Sequence, residues 1–276
     1  MIKTKYLNLL LIICFYMFMP NIVPAQADSS GIGAGIGISF TGYYDEIDSQ
    51  ISRHSHPLTY FLNGYIEKNY LLHLFNAGFF WGEAKRQAPY RGYNHVQCSS
   101  IRGYLDYSLS YRLFKNHFYS PYIGGAMRAL IHYTGPVNEA GFDKLHPSGV
   151  VLFSFDLNLG QKFIINDRHS FFLSLRLPFF GYAVRPPYAG LDGLWIKYLH
   201  EGTYSKFLTL GEAISFHNYN AISGDLKYNF KINNRFSVYS GMEFEYSLIK
   251  FYRPRKDIIF TLNGGFTFLF KEREKK

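Results

Sequence analysis

Strict alternation of apolar and polar residues, repeated in segment after segment, leaves this chain few ways to fold. Over 258–270, Ile258, Phe260, Leu262, Gly264, Phe266, Phe268 and Phe270 share one face, while Asn263, Gly265 and Thr267 share the other. A period of two is the signature of a β-strand with two unlike surroundings. The preceding segment repeats it: Phe236, Val238, Met242, Phe244, Tyr246 and Leu248 oppose Ser237, Tyr239, Gly241, Glu243, Glu245 and Ser247. Segments 32–43, 101–112, 122–133, 151–163, 171–179 and 222–232 alternate in the same way. Segments 58–67 and 70–82 are less tidy, and His73 interrupts the apolar face of the second. A strand buried in a sandwich would not need so uniform a phenylalanine stripe.

The connections between these segments alternate in length. Glu67-Lys68-Asn69, Lys115-Asn116-His117, Asn166-Asp167-Arg168 and Asn233-Asn234 read as short polar hairpin turns. The others, roughly 44–57, 83–98, 134–147, 182–217 and 250–256, are long. The count gives ten strands. Trp195 to Tyr198 and Phe207 to Phe216 offer two more, for twelve; against them, Glu212 would then face the apolar side in mid-strand.

At the N-terminus, Lys3 and Lys5 precede an apolar run from Leu7 to Met19, broken only by Asn8; Pro20 and then Ala25-Gln26-Ala27 follow. That order is a secretory signal peptide with cleavage after Ala27. The chain thus divides into a signal peptide (1–27), a β-domain (28–270) and a charged tail (271–276). No second run approaches the ~18 apolar residues of a membrane-spanning helix. The leader removes two lysines and no acid from a formal charge of +9. Only Cys98 remains beyond it, which excludes an internal disulfide and a cysteine metal cluster.

Composition supports strands that meet lipid on one side. Aromatic residues make up 19% and charged residues 18% of the chain, against about 25% charged in an average soluble domain. In hydrocarbon every backbone N–H and C=O must be paired within the protein, so a spanning sheet has to close on itself. The expected fold is therefore all-β, a closed antiparallel up-and-down transmembrane β-barrel of ten strands, alternatively twelve. Its first strand near 32–43 should pair with its last near 258–270.

The signal peptide, the alternating strands and a last strand ending in Phe266, Phe268 and Phe270 resemble bacterial outer-membrane barrel proteins. The resemblance is to a class, not a named family, and covers most of the mature chain. It implies a Gram-negative outer membrane as location, with the short turns periplasmic. It also implies that Phe266, Phe268 and Phe270 form a signal read by the barrel-assembly machinery.

The polar face of the strands offers Arg102, Asp106, Arg128, Asp156, Arg176, Asp225, Lys227, Glu243 and Glu245. Inside a ten-stranded barrel these charges should pair into a plug, since an isolated buried ion is costly; the alternative is a narrow polar path. Lys85, Arg86, Arg91, Arg185, Arg253, Arg255 and Lys256 gather on the long-loop side, suited to lipopolysaccharide phosphates. Ser215, His217 and Glu212 lie close together and supply the residue types of acyl transfer, although in a continuous strand Glu212 falls on the opposite face. That leaves three functional readings: an envelope component, binding surface or narrow transport path without evident catalytic motif; an esterase acting on lipid A or phospholipid; and a small-solute pore. No cofactor is expected. Gly31 to Gly37 carries a glycine at every second position but leads into no helix, so it is not a nucleotide loop. His54 and His56 lack a fixed third ligand, and no metal site is assigned. The positive charge is spread among aromatic strands, which argues against nucleic acid.

Overall fold

The computed structural model describes residues 29–45, 49–86, 98–116, 118–136, 148–185, 211–250 and 254–270. The signal peptide expected at 1–27 and the tail at 271–276 lie outside them. The described residues form twelve strand segments: β1 (Ser29–Asp45), β2 (Ser49–Ser55), β3 (Leu58–Lys68), β4 (Leu71–Arg86), β5 (Cys98–Arg112), β6 (Tyr119–Pro136), β7 (Ser148–Ile164), β8 (His169–Val184), β9 (Gly211–Ser215), β10 (Tyr219–Lys231), β11 (Phe236–Ile249) and β12 (Arg255–Phe270).

These twelve segments make a ring of ten staves. β2 prolongs β3 beyond an interruption at Pro57, which has no N–H to donate, and pairs with the same neighbours, β1 and β4. β9 likewise prolongs β10 beyond a turn at Phe216–Asn218, and both pair with β8. The ring closes where β1 meets β12 in an unbroken antiparallel register from Ser30↔Phe270 to Asp45↔Arg255. At this seam Tyr239 reaches across from β11. A Cβ on Gly35 would stand 2.2 Å from its hydroxyl, so only glycine leaves room for the ring.

The alternation in the sequence becomes two surfaces. Ile32, Ile36, Leu62, Leu105, Met127, Phe153 and Phe266 face outward, with their neighbours one residue away turned into the lumen. One ladder row runs Phe266, Ala34, Leu62, Ala77, Leu105, Ala129, Phe153 across seven adjacent strands. Large and small side chains alternate along it, so each bulky group lies beside a gap. His73 stays on the outward face, where Nδ1 and the Tyr107 hydroxyl share a 2.9 Å hydrogen bond.

Two of the short turns use one polar device. Asn166 Oδ1 accepts from the N–H groups of Arg168 and His169, and Asn233 Oδ1 from those of Arg235 and Phe236. Asn69 turns the β3–β4 hairpin at a φ of 54°, a left-handed conformation that asparagine tolerates.

The strands reach further into the long-connection end than their sequence suggests. β2 and β9 fall inside the expected loops 44–57 and 182–217, and β4, β6, β8 and β12 each extend past their expected ends. β6 has 18 residues; at ~3.3 Å each and a tilt near 40° it rises roughly 45 Å. An apolar band of about 25 Å covers only part of that height, so the outer portion is sheet with no apolar face to betray it. β8 holds a second departure. Its pairing with β7 jumps from Phe155↔Phe180 to Asp156↔Pro178, a bulge that turns both Phe179 and Phe180 outward. Pro178 lacks the N–H of a regular ladder residue, which explains the position of the slip.

Candidate functional site

The lumen is filled from the strands inward. At mid-height, β5, β6, β8 and β11 point Arg102, Asp106, Arg128, Arg176 and Glu245 at one another. Arg128 donates through Nε to Asp106 Oδ1 at 2.8 Å and through Nη1 to Glu245 Oε2 at 2.7 Å. Arg102 Nη2 meets Glu245 Oε1 at 2.5 Å, and Arg176 Nη1 donates to Asp106 Oδ2. Two carboxylates thus hold three guanidinium groups across the barrel. Arg128 also lies over the Tyr104 ring, 5.4 Å from its centroid.

The other four expected lumen charges also face inward, and three of them take neutral partners. Glu243 accepts from Asn263 Nδ2 at 2.9 Å and from the Tyr104 hydroxyl at 3.3 Å. Asp225 accepts from the Ser174 hydroxyl. Lys227 donates to Asn63 Oδ1 at 3.2 Å and sits 3.9 Å above the centre of the Tyr239 ring. Asp156 is buried opposite Pro178, and its Oδ1 has no hydrogen-bond partner among the described residues. Cavities of about 50 and 30 Å³ lie among these groups. They are polar, Arg176 Nε and Arg102 Nη1 are unsatisfied beside them, and they have the size and chemistry to hold a few waters.

Above and below this layer the lumen is closed by different means. Toward the long connections an apolar cluster of Leu130, Val150, Leu152, Ala183, Ile214, Tyr219 and Ile249 packs inward from β6 to β11. Beside it, Arg255 Nη2 donates to His132 Nδ1 at 2.6 Å, and Arg255 Nε pairs with Asp257 at 3.2 Å. Because Nδ1 accepts, His132 carries its proton on Nε2, 3.1 Å from the Ser100 hydroxyl. At the short-turn end, Glu67 takes Arg112 at 2.9 Å, Lys162 at 2.7 Å and the Tyr122 hydroxyl at 2.8 Å.

Several sequence expectations change here. Arg255, expected among the lipopolysaccharide-facing cations, is fully buried in the lumen, as is Arg185. The alternation of β12 explains it: Arg255 has the parity of Asp257, Ile259 and Thr261, all inward. Lys256, one residue on, is exposed and lies 5.6 Å from the centre of the Tyr246 ring. Lys85 and Arg86 end β4, while Arg91 and Arg253 lie outside the described residues. Glu67, Arg112 and Lys162 form an ion cluster that the turn reading of Glu67 obscured; the parity of segment 58–67, with Thr59, Phe61 and Asn63 inward, places Glu67 inside.

Ser215 and His217 do meet. Their Oγ and Nδ1 are 2.5 Å apart at the exposed turn joining β9 to β10. Glu212 does not join them: it shares the parity of buried Ile214 and so lies on the inward face of β9, not on the outward face expected for it. Asn218 instead organises the turn, accepting from Ser215 N–H at 2.8 Å and donating to Ala213 C=O at 3.1 Å.

No family model matches the chain, and no curated protein matches it in sequence. Among solved structures it resembles the outer membrane protease OmpT of Escherichia coli, with a TM-score of 0.51 at 8% identity over 88% of this chain and 96% of that one. An outer membrane channel from Pseudomonas putida F1 scores 0.38 at 11% identity over 91% and 100%. Neisserial surface protein A scores 0.33 at 9% identity over 89% and 100%. At these identities the likeness concerns architecture alone: the chain has an antiparallel β-barrel fold like that of OmpT.

Proposed function

We propose that this protein is an integral barrel of a Gram-negative outer membrane, exported by cleavage after Ala27, that serves as an envelope component or binding surface with its lumen shut to solutes. The observation that carries this reading is the chain of contacts Arg102–Glu245–Arg128–Asp106–Arg176, which crosses the lumen from β5 to β8 and β11. A path for solutes would have to break several buried ion pairs at once, each costly to separate. Phe266, Phe268 and Phe270 stand outward on the closing strand, suited to recognition by the assembly machinery. On the long-connection side, exposed Lys256 is available to lipopolysaccharide phosphate. Outer-membrane protein left unheated should migrate apart from the boiled chain on a gel, and its N-terminus should read from Asp28. In planar bilayers it should give no conductance steps; reproducible steps would overturn the closed lumen.

The 2.5 Å Ser215–His217 contact favours a second reading, an esterase at the membrane surface, with His217 as base and Ser215 as nucleophile. The inward Glu212 leaves it without the expected acid. Release of fatty acid from lipid A or phospholipid, abolished in Ser215→Ala and His217→Ala while both variants still show the heat-dependent gel shift, would support it. Failure of the unmodified protein to release any would end it.

A further inference from the structure

The short turns set the same chemistry at the rim more than once. Asn166-Asp167-Arg168 and Asn233-Asn234-Arg235 fold around an asparagine side chain that binds the backbone of the arginine and of the residue after it. Each therefore presents an arginine at the equivalent place. Arg168 and Arg235 are exposed, as is Lys68 in the β3–β4 turn. Close along the chain stand large exposed apolar groups: Ile165 by Arg168, Phe236 by Arg235 and Tyr70 by Lys68. None of the three cations has a side-chain ion pair among the described residues, and Asp167 is the one exposed carboxylate described in these turns. In water such cations would simply be solvated. Here they border the outward apolar surface, where aromatic rings settle at headgroup depth and cations reach phosphate.

We propose that this rim docks the anionic headgroups of phospholipids in the leaflet at the short-turn end, Lys68, Arg168 and Arg235 meeting their phosphates. The proposal rests on the barrel spanning a membrane, as argued above. The full chain would be reconstituted in vesicles of phosphatidylcholine, with or without phosphatidylglycerol, and its heat-dependent gel shift followed against temperature. Phosphatidylglycerol should raise the midpoint by roughly 5–10 °C. That gain should vanish in the triple variant K68Q/R168Q/R235Q and survive in K250Q/K256Q, which alters exposed lysines at the other end. An equal gain in the triple variant, or an equal loss in K250Q/K256Q, would overturn the assignment. So would the same gain from free inorganic phosphate over phosphatidylcholine alone, which would make phosphate, not a lipid headgroup, the ligand. Absence of any gel shift in either lipid would instead sink the membrane-barrel reading itself.

Discussion

Along β5 one ladder presents two unlike faces. Ile101, Leu105, Tyr107, Leu109 and Tyr111 stand outward, between 36% and 55% exposed, while Arg102, Asp106, Ser108, Ser110 and Arg112 on the other side are at most 7% exposed. In a membrane the outward groups would meet a fluid partner that adapts to any apolar shape. Inward groups meet particular neighbours on other strands: Arg102 meets Glu245 and Asp106 meets Arg176 across the ring, Asp106 also meets Arg128 on the adjoining β6, and Ser110 meets Asn158 two strands away. The outer face therefore constrains residue class, and the inner face constrains residue identity.

Substitutions on the two faces can break that contrast. Asp106→Ala would strand Arg128 and Arg176 without their shared carboxylate, and should lower the unfolding free energy by about 3–5 kcal/mol. The check is the urea midpoint of the barrel reconstituted in vesicles; a loss below about 1 kcal/mol would mean that the inner pairs are interchangeable after all. Leu105→Arg, on the opposite face and one residue away, should cost about 2–4 kcal/mol by placing a cation in hydrocarbon. If it proved neutral in the same assay, Leu105 would not lie in the apolar band. Gly35→Ala carries no charge and tests shape alone. Its methyl would collide with the Tyr239 hydroxyl and with Gly264 C=O at 2.5 Å, for an expected loss of about 1–3 kcal/mol. Adding Tyr239→Phe should recover part of this, since the backbone contact would remain. Leu109→Ile, a lipid-facing exchange within the class, should fall within about 0.5 kcal/mol of the parent; a larger effect would give the outer face the specificity reserved here for the lumen.

The same contrast explains what could be read from the sequence. Outward stripes such as Ile258 to Phe270 are legible because one surrounding medium imposes one rule at every second residue. The inward direction of Arg102, Asp106 and Glu245 follows by parity. Their partners do not, because Arg102 and Glu245 are brought together by the circumference of the ring and not by any spacing along the chain. Legibility also fades where the apolar band ends. Arg255 sits just beyond it, where strand pairing continues but the outward stripe no longer marks the parity; Glu67 follows outward Ile66 and is hidden by its turn-like sequence instead. The jump at Pro178 is a third kind of loss, since a bulge shifts the phase of everything after it.

The seam between β1 and β12 also sets an order of events. Ser39 and Thr261 share a hydrogen bond across it although they stand 222 positions apart. The first strand must therefore wait, with one edge unpaired, until nearly the whole chain has emerged. Loss of the final segment would leave an unfinished sheet and not a smaller barrel. Until the last stave arrives, the opening one keeps a row of unpaired N–H and C=O groups that any other strand could take, so closure of the ring is also its protection.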